Sequence, residues 1–173
     1  MKNVESAYRE FVRFEERAAE IYLQFASHFA QDPQVSSFWL DMAMQEKQHA
    51  GLLQFCVCEK LFAPKVPDDN EIEKLNAFFD RLDRRAADAN LTLEEAFSLA
   101  IELEASEINA IYCNLTTALH NSTYLLRRKI ATSLPNHIDE LVTAARQFGV
   151  NEDVLSQLNI AKKNCSDGWR APE

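Results

Sequence analysis

Residues 42 to 55 read MAMQEKQHAGLLQF, and the fold turns on how this stretch is placed. At helical spacing its inner stripe runs Trp39, Met42, Glu46, His49 and Leu53, so a carboxylate and an imidazole stand where a core-facing helix carries Leu or Ile. A polar pair on a face meant for burial needs a physical reason.

The surrounding pattern is helical throughout. Residues 3 to 30 carry Val4, Tyr8, Phe11, Glu15, Ala18, Tyr22 and Phe25 at alternating spacings of three and four, which predicts a long amphipathic helix, A. Asp32 is placed to cap and Pro33 to open a second helix, B, which the periodicity extends to about residue 62. The run APKVPDDN at 63 to 70 breaks it and begins a crossover over 63–91 that holds a shorter amphipathic segment from about Glu71 to Ala89. Thr92 with Glu95 is a capping box opening helix C over 92–120, with the stripe Phe97, Ile101, Glu104, Ile108, Ile111 and Leu115. Helix D, 123–148, carries Ile130, Leu134, His137, Leu141, Ala144 and Phe148 and ends at Gly149. Asn151 caps a terminal helix over 151–164.

Composition agrees. Three glycines and five prolines in 173 residues are too few for the turns of a many-stranded protein, and the length suits a single domain over 1–173. Lys and Arg number 18 against 27 Asp and Glu, a net charge of -9, which argues against a broad grip on nucleic acid or an anionic membrane. No charged leader and no run of about 20 apolar residues occurs, so the expectation is a cytoplasmic protein. Cys56 and Cys58 form a CxC pair, and with Cys113 and Cys165 they make no CxxC repeat, so a thiolate zinc or iron site is not expected.

Short turns make A and B antiparallel neighbours, and likewise C and D. Glu15 lies about 16 residues before the first turn and Glu46 about 15 after it, so the two meet at one depth. Around the second turn the same count pairs Glu104 with His137, and Glu107 lies one helical turn from Glu104. Each helix thus breaks its apolar stripe midway with Glu or His alone. An unpaired carboxylate in a dry core costs several kcal/mol, and three or four together would exceed a domain's stability of about 5–15 kcal/mol. No Lys or Arg occupies these stripe positions, so a bound cation is the economical neutraliser. Mixed carboxylate and imidazole donors suit iron first, with manganese or zinc as alternatives.

Glu15 with Ala18 and Tyr22, the ExxH motif Glu46 to His49, Glu104 with Glu107, and His137 within NHIDEL resemble the rubrerythrin branch of the ferritin-like di-iron superfamily. The resemblance implies an all-α four-helix bundle, two antiparallel hairpins joined by a long crossover with a short helix, followed by the terminal helix. It implies a di-iron site with ligands at Glu15, Glu46, His49, Glu104, Glu107 and His137, with Glu107 and His49 exchanging at one iron. It further implies reduction of peroxide or dioxygen by an external electron donor, and a homodimer.

Two departures stand out. The family's fourth helix carries a second ExxH, whereas this chain reads SLPNH, with Leu134 at the glutamate position and Pro135 after it. A proline inside a helix removes an N–H and clashes with the preceding turn, so helix D is expected to kink or restart near Ser133. The paired CxxC motifs of a rubredoxin module are also missing. The second expectation is therefore an iron-handling protein with an incomplete site, holding one metal or none without redox turnover. A third is a metal-free helical interaction protein with protonated glutamates. Glu102, His28 and His120 read as surface residues, Asp139 and Glu140 as pointing off the stripe, and Tyr22 and Tyr112 as core aromatics.

Overall fold

The computed structural model describes residues 4–63, 66–106 and 134–168, with the side chains of 137–163 in the last stretch. Every regular element among them is a helix: α1 Val4–His28, α2 Pro33–Cys58, α3 Asp69–Ala86, α4 Leu93–Glu104, α5 Leu134–Gln147 and α6 Glu152–Gly168. Among the described residues no helix is long and apolar enough to cross a membrane.

The first two helices follow from cap and stripe. Tyr8, Phe11, Phe14, Ala18, Tyr22 and Phe25 bury one side of α1, whereas Glu16 and Glu20 beside Glu15 stay exposed. Asp32 ends the intervening turn by accepting from the amides of Gln34 and Val35 at 3.0 and 3.2 Å, with Pro33 in the position where a missing N–H matters least. The Ser36 hydroxyl donates to the Ala26 carbonyl at 2.8 Å, fastening the start of α2 to the end of α1. At the far end the Ala63 amide donates to the Tyr8 hydroxyl at 2.8 Å, so the chain leaving α2 lies beside the start of α1 and the two helices run antiparallel.

Helix α2 stops at Cys58, four residues short of the expected 62. Lys60 adopts the left-handed region at φ 56 and the Leu61 amide returns to the Cys56 carbonyl at 2.9 Å, a C-terminal cap that satisfies a carbonyl the helix leaves open. Helix α3 begins at a capping box of Asp68 and Glu71. It lies on α1 through Phe79 stacked on Phe14, with ring centroids 5.2 Å apart. Arg17 covers the Phe79 ring and donates to Asp80 at 2.7 Å and to Asp83.

Helix α4 opens on the expected capping box of Thr92 and Glu95 but ends at Glu104, so the expected unbroken helix over 92–120 is corrected. Ala105 caps it, and the Ser106 hydroxyl takes the Leu103 carbonyl at 2.6 Å. A serine that bonds its own backbone competes with helix continuation. From residue 107 the expected helix C, and residues 123–133 of the expected helix D, lie outside the described residues. In α5 the chain is helical from Leu134 to Gln147 with Pro135 second, and the expected restart near Ser133 falls outside the described stretch. Gly149 at φ 70 turns the chain out of α5, and Asn151 accepts from the Val154 amide at 3.1 Å to start α6, which runs to Gly168 rather than 164.

Helix α4 packs on both α5 and α6. At one end of the interior, Trp39 sits among Tyr22, Phe25, Phe38 and Phe97, each ring centroid within 5.8 Å of its own. Phe148 at the end of α5 meets Phe38 at 5.8 Å, which brings α5 to α2.

Candidate metal centre

Five ionisable side chains enter the interior from four helices. Glu15 comes from the middle of α1, Glu46 and His49 from consecutive turns of α2, Glu104 from the last residue of α4 and His137 from the fourth residue of α5. All five are buried, and they are the only buried charged or polar residues among those described. The spacing of three between Glu46 and His49 puts both on one side of α2, where the preceding and following stripe residues, Met42 and Leu53, are fully buried.

Glu46 is the centre of the cluster. Its Oε2 lies 3.1 Å from His49 Nδ1, and its Oε1 lies 3.3 Å from His137 Nδ1. Each histidine then meets a second carboxylate: His49 Nδ1 is 3.7 Å from Glu15 Oε2, and His137 Nδ1 is 3.3 Å from Glu104 Oε2. The two imidazoles face one another at 5.0 Å between centroids, 29° apart. The arrangement is two half-sites, Glu15 with His49 and Glu104 with His137, sharing one carboxylate. Glu46, His49 and His137 each offer a donor atom within 4.8 Å of the others.

Protons organise the charge of this cluster as it stands. Burial opposes the charged form of His49, yet its contacts with Glu15 and Glu46 outweigh that and raise its pKa to about 9. His137 likewise rises to about 11, burial being overcome by the charge and hydrogen bonds of Glu104 and Glu46. For Glu46 burial pushes toward the neutral form, but the hydrogen bonds of His137 and His49 prevail and hold it below the usual carboxylate range. Glu15 has one imidazole near it and Glu46 as a like charge, so burial dominates and its pKa goes up. The two imidazoles supply positive charge that a search for Lys or Arg on the stripes overlooks.

Tyr22 closes one side. Its hydroxyl donates to Glu104 Oε1 at 2.7 Å, and burial followed by the charge of Glu104 drives its pKa far up, which keeps the phenol a donor. Reading the sequence places Tyr22 near the centre as a core aromatic but cannot name its partner, because the contact joins residues 82 apart in the chain.

The donor set fits a metal. Glu15 Oε1 and His137 Nε2 are buried and have no hydrogen-bond partner among the described residues. Such groups are rare in native interiors unless something else occupies their lone pairs. Carboxylate oxygens with imidazole nitrogens and no thiolate suit iron or manganese.

The structure brings together Glu15, Glu46, His49, Glu104 and His137, whereas Glu107 lies outside the described residues, as do Tyr112 and His120. Asp139 pairs with Lys162 at 2.7 Å and Glu140 accepts from Gln45 at 2.7 Å, both away from the cluster. Glu102 pairs with Arg81 and Arg85, and His28 is exposed at the end of α1.

No curated protein and no solved structure matches the chain. The model of the rubrerythrin family matches residues 3–124, a stretch that includes Glu15, Glu46, His49 and Glu104 and stops before His137. With well over half its length matched, and with carboxylates and an ExxH pair of that stretch converging in one buried cluster, this chain belongs to the rubrerythrin family.

Proposed function

We propose that the chain is a single-domain di-iron oxidoreductase that reduces peroxide or dioxygen with electrons from an external donor. Its scaffold is read as four helices in two antiparallel hairpins joined by the crossover that contains α3. Glu15, Glu46, His49, Glu104 and His137 would hold the ions, joined by Glu107 on the strength of the family pattern. The observation that carries this reading is Glu46, whose two oxygens address two different histidines. That is the disposition of a carboxylate able to serve two cations at once.

When bound, iron supplies the reversible electron change that peroxide reduction requires. The chain's own residues do the rest. Three carboxylates offset cationic charge, and the aromatic wall of Tyr22 and Trp39 limits water at the Glu104 side. The Tyr22 hydroxyl, donating to Glu104 Oε1 across 2.7 Å between the oxygens, fixes the orientation of that carboxylate and holds a proton beside it.

Metal analysis of protein purified without added metal or chelator tests the proposal, followed by mixing the anaerobically reduced protein with hydrogen peroxide. About two irons per chain and rapid oxidation that turns over with a supplied reductant are expected. One ion or none, or slow oxidation without turnover, points to the second reading, an iron-handling protein with an incomplete site. Leu134 favours that second reading, because it stands where the family pattern has a glutamate. Substituting Leu134→Glu separates the two: a gain of turnover marks a degenerate site, a loss marks a tuned one.

A further inference from the structure

The seam between α2 and α5 is not closed along its whole length. Phe148 meets Phe38 at 5.8 Å and Gln45 donates to Glu140 at 2.7 Å, and beside these two contacts the helices leave a groove of about 780 Å³, open to solvent. Phe38, Ala144 and Phe148 form its apolar floor, the two rings half-buried, while Asp41, Asp139 and Glu140 stand exposed at its rim. None of the residues lining it is Lys, Arg or His. Lys162 on α6 holds Asp139 at 2.7 Å, and Asp41 pairs with no cation among the described residues. An apolar centre ringed by charge of one sign is the anatomy of a protein-binding patch, and it selects a partner of the opposite sign.

The groove is also joined to the buried cluster, and by two routes. Phe38 touches Trp39, their centroids 4.7 Å apart. Trp39 stacks on Tyr22 at 5.8 Å with the planes 11° apart, and the Tyr22 hydroxyl donates to Glu104. Aromatic rings thus run without interruption from the groove floor to a carboxylate of the proposed centre. On the other wall Glu140 lies three residues, about 4.5 Å along the axis, beyond His137, and its partner Gln45 directly precedes Glu46.

We propose that this groove is the docking site of the external electron donor, and that the donor is a small one-electron carrier protein presenting Lys or Arg around an apolar contact. This deepens the oxidoreductase reading, on which it rests, with the place and the charge of the partner. An open seam does not enclose a small molecule, which buries most of its surface when bound, but it accepts the protruding surface of a protein. Peroxide takes up two electrons and two protons to give two waters, so a one-electron carrier must dock, deliver and leave twice for each peroxide. Such exchange calls for a small, weak interface whose encounters are steered by charge, and a chain of net charge -9 supplies the field.

Mitochondrial cytochrome c, a basic carrier with lysines around its exposed haem edge, serves as the probe. In its oxidised form, titrated calorimetrically into the metal-free protein, it should bind with a Kd of about 1–100 µM at low ionic strength and at least about tenfold more weakly at about 0.2 M salt. Asp41→Lys with Glu140→Lys should weaken binding at least about tenfold, and the milder Asp41→Asn with Glu140→Gln should move it the same way. Glu20→Lys with Glu73→Lys changes the net charge as much as the first pair from exposed positions on α1 and α3, and should weaken binding less than about threefold. With iron-loaded protein and peroxide, oxidation of reduced cytochrome c should slow at least about tenfold in the groove variants with lysine and not in the control pair. No binding at low ionic strength, equal weakening by groove and control pairs, or oxidation as fast in the groove variants as in the wild type would overturn the docking site. Binding is read on metal-free protein, so it holds or fails apart from the oxidoreductase reading, which turnover of the iron-loaded wild type with a small reductant tests by itself.

Discussion

The hydroxyl of Tyr22 on α1 donates to Glu104 on α4 at 2.7 Å, wholly inside the protein, and so ties the first helix to the last residue of the fourth. Tyr22→Phe keeps the ring on Trp39 but removes one buried hydrogen bond to a carboxylate. A loss of about 1–3 kcal/mol is expected in chemical denaturation of the metal-free protein. Metal content should survive, because in the proposed site the phenol orients Glu104 and binds no ion itself.

Glu46 and Glu15 should not be equivalent. Glu46→Gln removes the group shared by both half-sites, so binding of both ions should fall together. Glu15→Gln touches only the His49 half-site and should leave about one ion per chain if the halves bind separately. Metal-to-protein ratios of the two variants after identical loading check this, and equal losses would refute the division into halves.

Stability of the metal-free protein should fall as pH rises through the neutral range. His49 is raised from 6.5 to about 9 on folding, so its contribution is fully present below about 6.5 and disappears as pH passes toward 9. That amounts to roughly 3 kcal/mol for this residue, and His137, raised to about 11, extends the decline further. Glu46 is depressed and acts in the opposite sense, its contribution being lost as pH falls below the ordinary carboxylate range. Glu15, raised from 4.5 to about 8 by burial, adds to the decline from about pH 4.5 upward, so denaturation midpoints of the metal-free protein should be highest near pH 4.5 to 5. Metal ions compete with the same protons, so the stabilisation that iron or manganese confers should grow with pH where the metal-free protein weakens.

Thr92→Ala removes one half of the capping box at the start of α4 and should cost about 1 kcal/mol. The change lies three turns from Glu104, so metal content should be unchanged while the thermal midpoint falls.

Much of this architecture is legible without coordinates because it is local. The Asp32 and Thr92 caps, the stripes of α1 and α2, and Gly149 each act over a few residues, and they place Glu15, Glu46, His49, Glu104 and His137 by periodicity and depth alone. The ends of α2 and α4 are harder to read. Phe62 and Ile108 continue the apolar rhythm, whereas the actual stops depend on Lys60 taking a left-handed conformation and on the Ser106 hydroxyl claiming a carbonyl. The charge balance of the cluster was also hidden, since whether an imidazole is a cation depends on how many carboxylates surround it in space.

The clamp between Ser36 and Ala26 and the Asp32 cap leave only four residues, 29–32, to reverse the chain. That turn works as a gauge for everything beyond it. One residue added to or deleted from α2 between the Ser36 clamp and Glu46 would turn Glu46 and His49 together by about 100° off the interior. The count of residues from that clamp is thus fixed by the cluster, even though the turn itself lies at the surface and about 20 Å from the side chains it aligns.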